Sequence, residues 1–148
     1  MAGISVKFKM LGVEQIDRKL KTPDIFREPL RKLFSKGAME LEREVKMATP
    51  VGTPESTGKR GYIGGRLRAS MTTRVDASPV PLWAEVGTRV KYASFVELGT
   101  EKMAARHIEY GKRVYGKGMF AYAVEKLKGK IDNLLAEAKK ILERNFSK

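Results

Sequence analysis

The chain offers few side chains that could carry out chemistry. It has no cysteine, which excludes disulfides, thiolate nucleophiles and Cys-ligated metal sites, and it has one histidine, His107. Histidine is the usual general base near neutral pH, and Glu109 stands two residues away. No second acid or base has a fixed spacing to this pair. A surface histidine in a charged loop is the simpler interpretation, with a ribonuclease-type toxin centred on His107 as an alternative.

A metal-dependent site would need converging carboxylates. The middle of the chain holds Asp76, Glu85 and Glu97, and their spacing does not bring them together. We therefore predict no catalytic, cofactor-binding or metal-binding residues and no enzymatic activity. Glu97 is surrounded by apolar neighbours in the sequence, so its carboxylate would be partly desolvated and would gain from pairing with Arg89 or with an arginine of another chain. A solvated acid at a helix end is the alternative.

The chain is strongly basic, with 30 Lys and Arg against 17 Asp and Glu, a formal charge of +13. The stretch 49–75 has five cations and one carboxylate, and 101–118 has five and two, whereas 76–100 has a net charge of −1. Tyrosines interleave with the cations, as in single-strand stacking platforms, but such interleaving is common in loops, and a solvated or subunit-facing basic surface is the simpler interpretation. The residues expected to face DNA or a protein partner are Lys59, Arg60, Arg66, Arg106, Lys112, Arg113 and Lys117.

Hydropathy periodicity places these residues on an α+β scaffold. Alternation from Ile4 to Met10 predicts a strand, and apolar residues at helical spacing predict a short helix after Gly12. We predict one domain in which a small antiparallel β-sheet packs against two long amphipathic helices. Its segments are an N-terminal strand and helices over 1–48, a loop over 49–65, a β-hairpin (strands 71–77 and 82–88) and short helix over 66–100, a basic arm over 101–118 and a C-terminal helix over 119–146.

The loop 49–65 and the basic arm 101–118 are the expected contact elements. A connector of this length is unusual inside a compact domain and is typically functional. Both segments also carry much of the excess positive charge. We expect them to be poorly ordered or extended in an isolated subunit and to make their contacts in an assembly.

Three segments form a recognisable pattern. The first leads from Ala48-Thr49-Pro50-Val51 to Gly65-Arg66-Leu67-Arg68-Ala69-Ser70, the second runs from Glu85 to Thr100, and the third, Gly118 to Ala123, opens the last helix. Together they resemble the phage tail-completion or neck proteins typified by gp10 of phage HK97, although the loop and the basic arm are longer here. The motif and packing residues that the resemblance indicates are Gly65, Leu67, Arg68, Ser70, Tyr92, Ala93, Phe95, Val96, Glu97, Gly99 and Thr100.

Within the second segment, helical spacing suggests that Tyr92, Phe95 and Val96 plug the edge of the sheet. Gly87 and Gly99 are expected to permit tight turns, and Thr100 would cap the next stretch of the chain.

The resemblance implies a structural virion protein at the head–tail junction, of the tail-completion, neck or tail-terminator type. Its expected partners are further copies of itself in a ring around the DNA path and neighbouring neck, portal-connector or tail-tube proteins, with non-specific contact to DNA in the channel. The resemblance also implies that the protein resides in the virion. We expect it to be assembled in the host cytoplasm, because no signal peptide or membrane span is visible. A stand-alone nucleic-acid-binding protein is the main alternative.

Overall fold

The computed structural model describes residues 3–9, 24–77 and 83–146. The short helix predicted after Gly12 and the turn predicted between the hairpin strands lie outside these residues. The described elements are β1 (Ile4–Lys9), α1 (Asp24–Ala48), α2 (Pro54–Thr57), α3 (Arg66–Ala69), β2 (Thr72–Val75), β3 (Trp83–Thr88), α4 (Ala93–Leu98), β4 (Arg106–Glu109), β5 (Lys112–Tyr115) and α5 (Met119–Phe146).

The central element is a three-stranded antiparallel sheet in the order β1-β3-β2. Val6 pairs with Val86 and Phe8 with Ala84, so that the apolar members of each strand share one face. The opposite face carries Ser5, Lys7 and other polar residues, as period-2 alternation requires. The sheet that the sequence predicts is therefore confirmed.

The long helix α1 packs on the apolar face of this sheet, and the second long helix, α5, packs on α1, which confirms the predicted α+β class. Phe34 of α1 stacks on Phe8 with ring centroids 5.8 Å apart, and an ion pair of 2.9 Å between Lys126 and Glu44 links the two helices. Pro29 lies inside α1. The core residues with the lowest exposure are Leu30, Phe34, Ala38, Leu41, Val45, Ala84, Val86, Ala93, Met119, Ala123 and Ala138.

The basic arm 101–118 is not extended, contrary to our expectation. It folds into a second, two-stranded sheet, in which β4 and β5 pair antiparallel from Arg106 opposite Tyr115 to Glu109 opposite Lys112. The two turn residues, Tyr110 and Gly111, both have positive φ, at 49° and 75°. Positive φ at both central residues gives a two-residue turn whose twist matches that of the strands it connects.

The loop 49–65 also differs from the expected extended form, because it folds back on itself. Its ends come so close that a Cβ on Gly64 would lie 2.1 Å from the carbonyl oxygen of Gly52. Between them, Thr53 and Ser56 form a reciprocal capping box around the single turn of α2. The loop is therefore a compact projection with its own hydrogen bonds.

Candidate interaction surface

Glu97 of α4 holds the start of α5. Its two carboxylate oxygens accept hydrogen bonds from the backbone amides of Phe120, at 2.8 Å, and Ala121, at 2.9 Å. The carboxylate is 9% exposed and lies at the positive end of the helix, where a negative charge is favoured. The predicted ion pair between Glu97 and Arg89 is therefore wrong. The alternative, in which Glu97 is a solvated acid at a helix end, is wrong as well.

Gly118 permits this contact. A Cβ at Gly118 would lie 2.2 Å from Oε2 of Glu97 and 2.4 Å from its backbone oxygen. Any side chain there would displace the carboxylate from the helix end. The second and third recognised segments are thus joined in space through Glu97 and Gly118.

The polar residues of the first segment are also used internally. Arg68 donates from Nη2 to the carbonyl of Thr49 at 2.9 Å, closing the base of the loop 49–65. Ser70 Oγ lies 2.6 Å from Oγ1 of Thr88, and Leu67 is buried. These residues fix the shape of the chain rather than present a surface.

The structure confirms a short helix at α4 but corrects the role of two of its aromatic neighbours. Val96 is buried, whereas Tyr92 and Phe95 are 40% and 53% exposed and do not plug the sheet edge. The helix rests on the core through Ala93 and Val96, at i and i+3, so Tyr92 and Phe95 face outward.

The smaller motif residues divide between turns and close packing. Gly99 has φ 77° and ends α4, as expected. Thr100 accepts at Oγ1 from the amide of Met103, at 3.1 Å, and so caps the next turn. Gly87 is not in a turn: it lies in β3 opposite Ser5, whose Cβ leaves no room for a side chain.

His107 is not a surface residue, contrary to our interpretation. It is 2% exposed, its ring stacks on Tyr122 at 4.2 Å, and Nδ1 lies 2.8 Å from the carbonyl oxygen of Lys117. Nε2 lies 3.5 Å from the carboxylate of Glu109. This environment anchors the hairpin to α5 and leaves the ring closed to a substrate.

A groove of about 490 Å³ opens between the loop 49–65, α4 and the hairpin. Leu67 and Val96 are buried residues that form its floor. Three tyrosines, Tyr62, Tyr92 and Tyr115, line it and are 40%, 40% and 62% exposed. Among the described residues, the charged ones that line it are Lys102, Arg106 and Arg113, and none is a carboxylate. We call this the tyrosine groove.

A second concavity continues the tyrosine groove across Tyr92. The described residues that line it include Arg66, Arg89 and Lys91 and no carboxylate. Within the described part of the chain, none of the six cations along the two concavities forms an ion pair. Segments that are distant in the sequence thus build one continuous positive surface.

The structure therefore divides the basic residues that the sequence indicated. Arg106 and Arg113 lie in the tyrosine groove and Arg66 in the adjoining concavity. Lys117 instead pairs with Glu125 and lowers the pKa of that carboxyl by hydrogen bonding and charge. The remaining three predicted residues, Lys59, Arg60 and Lys112, are exposed but lie outside both concavities.

Sequence reasoning did not single out Lys102, Arg89 and Lys91 as members of this surface. The signal for the last two was available, because they lie three residues and one residue before Tyr92 in the second recognised segment. Lys102 joins the groove only because Gly99 and the Thr100–Met103 turn redirect the chain.

The outer face of the three-stranded sheet has one nearly buried carboxylate, Glu85. Ser5 donates a hydrogen bond of 2.5 Å to it, and Arg74 Nη2 lies 2.5 Å from its other oxygen. The Ser5 hydrogen bond, together with the Arg74 guanidinium, holds the pKa of Glu85 below its usual value in spite of burial. Lys7 lies 4.4 Å from the centre of the Trp83 ring on the same face.

In residues 3–9, 24–77 and 83–146, no cluster of three or more His, Asp or Glu side chains is arranged as a metal site. No helix in these ranges has the length and apolar character needed to cross a membrane.

Comparison with known proteins identifies the family. A family model described as "Bacteriophage HK97-gp10, putative tail-component" matches residues 14–99, more than half of the chain. This range includes the first recognised segment and all of the second except Thr100, whereas the third, at the start of α5, lies beyond it. No curated protein and no solved structure matches the chain significantly. The chain belongs to the HK97 gp10-like family of phage tail components.

Proposed function

We propose that this protein is a structural, non-catalytic component of the head–tail junction, acting in tail completion, in the neck or as a tail terminator. Membership of a phage tail-component family supports a structural role. Copies of the chain form a ring around the DNA path, and the ring contacts neighbouring neck, portal-connector or tail-tube proteins.

The observation that carries this proposal is that the motif side chains bond within the fold, whereas the basic surface lies open to partners. The motif side chains Arg68, Ser70 and Glu97 make internal hydrogen bonds. The loop 49–65 and the hairpin instead frame a continuous positive surface that has no carboxylate of its own. A rigid scaffold with an unneutralised basic surface suits a building block that docks on acidic partners or borders DNA.

Removal of the gene from the phage or prophage that encodes the chain tests the junction role. We expect filled heads and separate tails to accumulate, visible by electron microscopy, and a plasmid copy of the gene to restore joined particles. Infectious, normally joined particles in the absence of the gene would contradict the proposal. Native mass spectrometry of the purified chain, alone and with the products of the adjacent genes, measures the ring separately.

A second candidate is a protein that binds nucleic acid by itself. The three exposed tyrosines among six cations favour it, because aromatic rings stack on unpaired bases while cations contact phosphates. Binding of single-stranded DNA by the monomer, with a steep decrease as salt increases, would support this candidate. Binding that requires the ring, or no binding, would support the structural role.

A further inference from the structure

We propose that the tyrosine groove binds a short acidic protein segment that carries an apolar anchor side chain, supplied by a neighbouring tail component. This inference rests on the proposed structural function and specifies the chemistry of one of its partners. The groove is one part of the continuous positive surface, and its walls come from the loop 49–65 and the hairpin.

The floor of the groove selects for an apolar side chain. Leu67 and Val96 are 4% and 6% exposed, yet they line the groove, and Met103 beside them is 48% exposed. Burying apolar surface against them is favourable by about 25 cal/mol per Å². The volume, about 490 Å³, is in the range of sites that enclose a small ligand or a few side chains.

The walls select for negative charge. Arg106 and Tyr115 are cross-strand partners, and Arg113 lies on the same face of the hairpin two residues before Tyr115. His107, on the opposite face, is held against α5, so the hairpin is fixed to its domain and its other face is turned to the groove. Guanidinium groups in this setting can bind carboxylates in a bidentate manner.

Charge argues against a second copy of this chain as the occupant, and shape argues against a DNA duplex. A second copy of this chain brings a net charge of +13 toward a groove that already has three unpaired cations. A DNA duplex is a wide, convex cylinder that would reach the rim but leave the apolar floor unfilled. An acidic segment with a leucine or phenylalanine at its centre satisfies both the walls and the floor.

Fluorescence anisotropy of the full chain with labelled synthetic peptides tests the proposal. The first peptide places one Leu within a run of Glu and Ser, the second has Ser in place of Leu, and the third has Lys in place of each Glu. Oligothymidylate and a random DNA duplex serve as nucleic-acid probes. We expect the first peptide to bind most tightly of all five.

Two matched double variants locate the site. Arg106→Gln with Arg113→Gln removes two groove cations, and Lys128→Gln with Lys139→Gln removes two exposed cations of α5. We expect the groove variant to weaken binding of the first peptide by about tenfold or more and the control by less than about twofold. Tyr115→Ala is expected to act like the groove variant. Circular dichroism and melting temperatures show that each variant is folded.

The outcomes separate the occupants. Equal binding of the Glu and Lys peptides, or equal effects of the two double variants, would overturn the proposal. Tighter binding of oligothymidylate or duplex that is lost in the groove variant would overturn it in favour of nucleic acid. Neither result depends on the gene-removal experiment: joined particles formed without the gene refute the junction role, whatever the peptides show.

Discussion

At the scale of single residues, the packing around Gly118 leaves no room for a side chain. An added Cβ would meet both the carboxylate and the backbone oxygen of Glu97, and the backbone oxygen cannot move aside as a flexible side chain can. We expect Gly118→Ala to lower the free energy of unfolding by about 1–3 kcal/mol, as overpacking does. Chemical denaturation measures this change.

Gly129 provides the matched control for that substitution. It lies in the middle of α5, and nothing is within 4 Å of the position that a Cβ would take. Alanine is the better helix former by about 0.5–1 kcal/mol, so Gly129→Ala should raise the free energy of unfolding. Changes of the same sign in the two variants would contradict the assigned role of Gly118.

Glu85 makes the stability depend on pH. Its pKa is lowered in the folded state, so its contribution is complete above the pKa of the unfolded chain, about 4.3, and is lost as the pH falls through the lower folded-state pKa. Ser5→Ala removes the first cause of that lowering. We expect this variant to be destabilised at neutral pH and to approach the parent protein in strong acid.

Thr72→Ala is the control on the same sheet face, because the Thr72 hydroxyl donates to a backbone carbonyl and not to an acid. Its effect on the free energy of unfolding should not change with pH. Urea denaturation of the parent and both variants from neutral pH to below pH 3 measures the comparison. A Ser5→Ala deficit that persists undiminished in acid would contradict the role of Glu85.

At the scale of elements, the parts with strong periodicity were predictable from the sequence. The C-terminal helix spans Met119–Phe146, as predicted, and the strands around Thr72–Val75 and Trp83–Thr88 pair as expected. Their apolar residues recur at the period of the element and decide its type. The two-stranded hairpin was missed, because its alternation is between charged and weakly apolar residues and its turn is Tyr110–Gly111 rather than Asn-Gly.

The candidate surface was predictable only in part. Arg106 and Arg113 stood out as cations in a basic stretch, but their joining with Tyr62 and Tyr92 depends on how the loop and the hairpin fold. The partner of Glu97 was missed because it is a pair of backbone amides. The absence of a Ser, Thr, Asp or Asn before Met119 was a signal that α5 must be capped from elsewhere.

Glu97 also couples α4 to α5, so its substitution tests the contact between the two elements. Glu97→Ala leaves the amide of buried Phe120 without its acceptor, and we expect a loss of about 2 kcal/mol in the free energy of unfolding. Glu97→Gln keeps one acceptor oxygen and should lose about half as much. Glu101→Ala, at an exposed acid nearby, should change it by less than about 0.5 kcal/mol. Equal effects of Glu97→Ala and Glu101→Ala would contradict the capping role.

At the scale of the whole molecule, the proposed ring requires copies with a charge of +13 each to approach one another. Burial of apolar surface has to offset the repulsion between the copies. The short helix α4 exposes Phe95 and Leu98, three residues apart, at 53% and 76%, and neither of them lines the tyrosine groove or the adjoining concavity. This apolar pair is the best-suited contact for a second copy.

Leu98→Asp is therefore expected to shift the purified protein from the ring toward the monomer, as measured by native mass spectrometry across a range of protein concentrations. The melting temperature of the monomer should remain close to that of the parent chain, because Leu98 is mostly exposed. Ile63→Asp introduces the same charge at a side chain that is 92% exposed in the loop 49–65 and should leave the oligomer intact. If Ile63→Asp dissociates the ring and Leu98→Asp does not, the subunits meet through the loop. The tyrosine groove would then lie beside the subunit contact, and its acidic partner would have to bind before the ring closes.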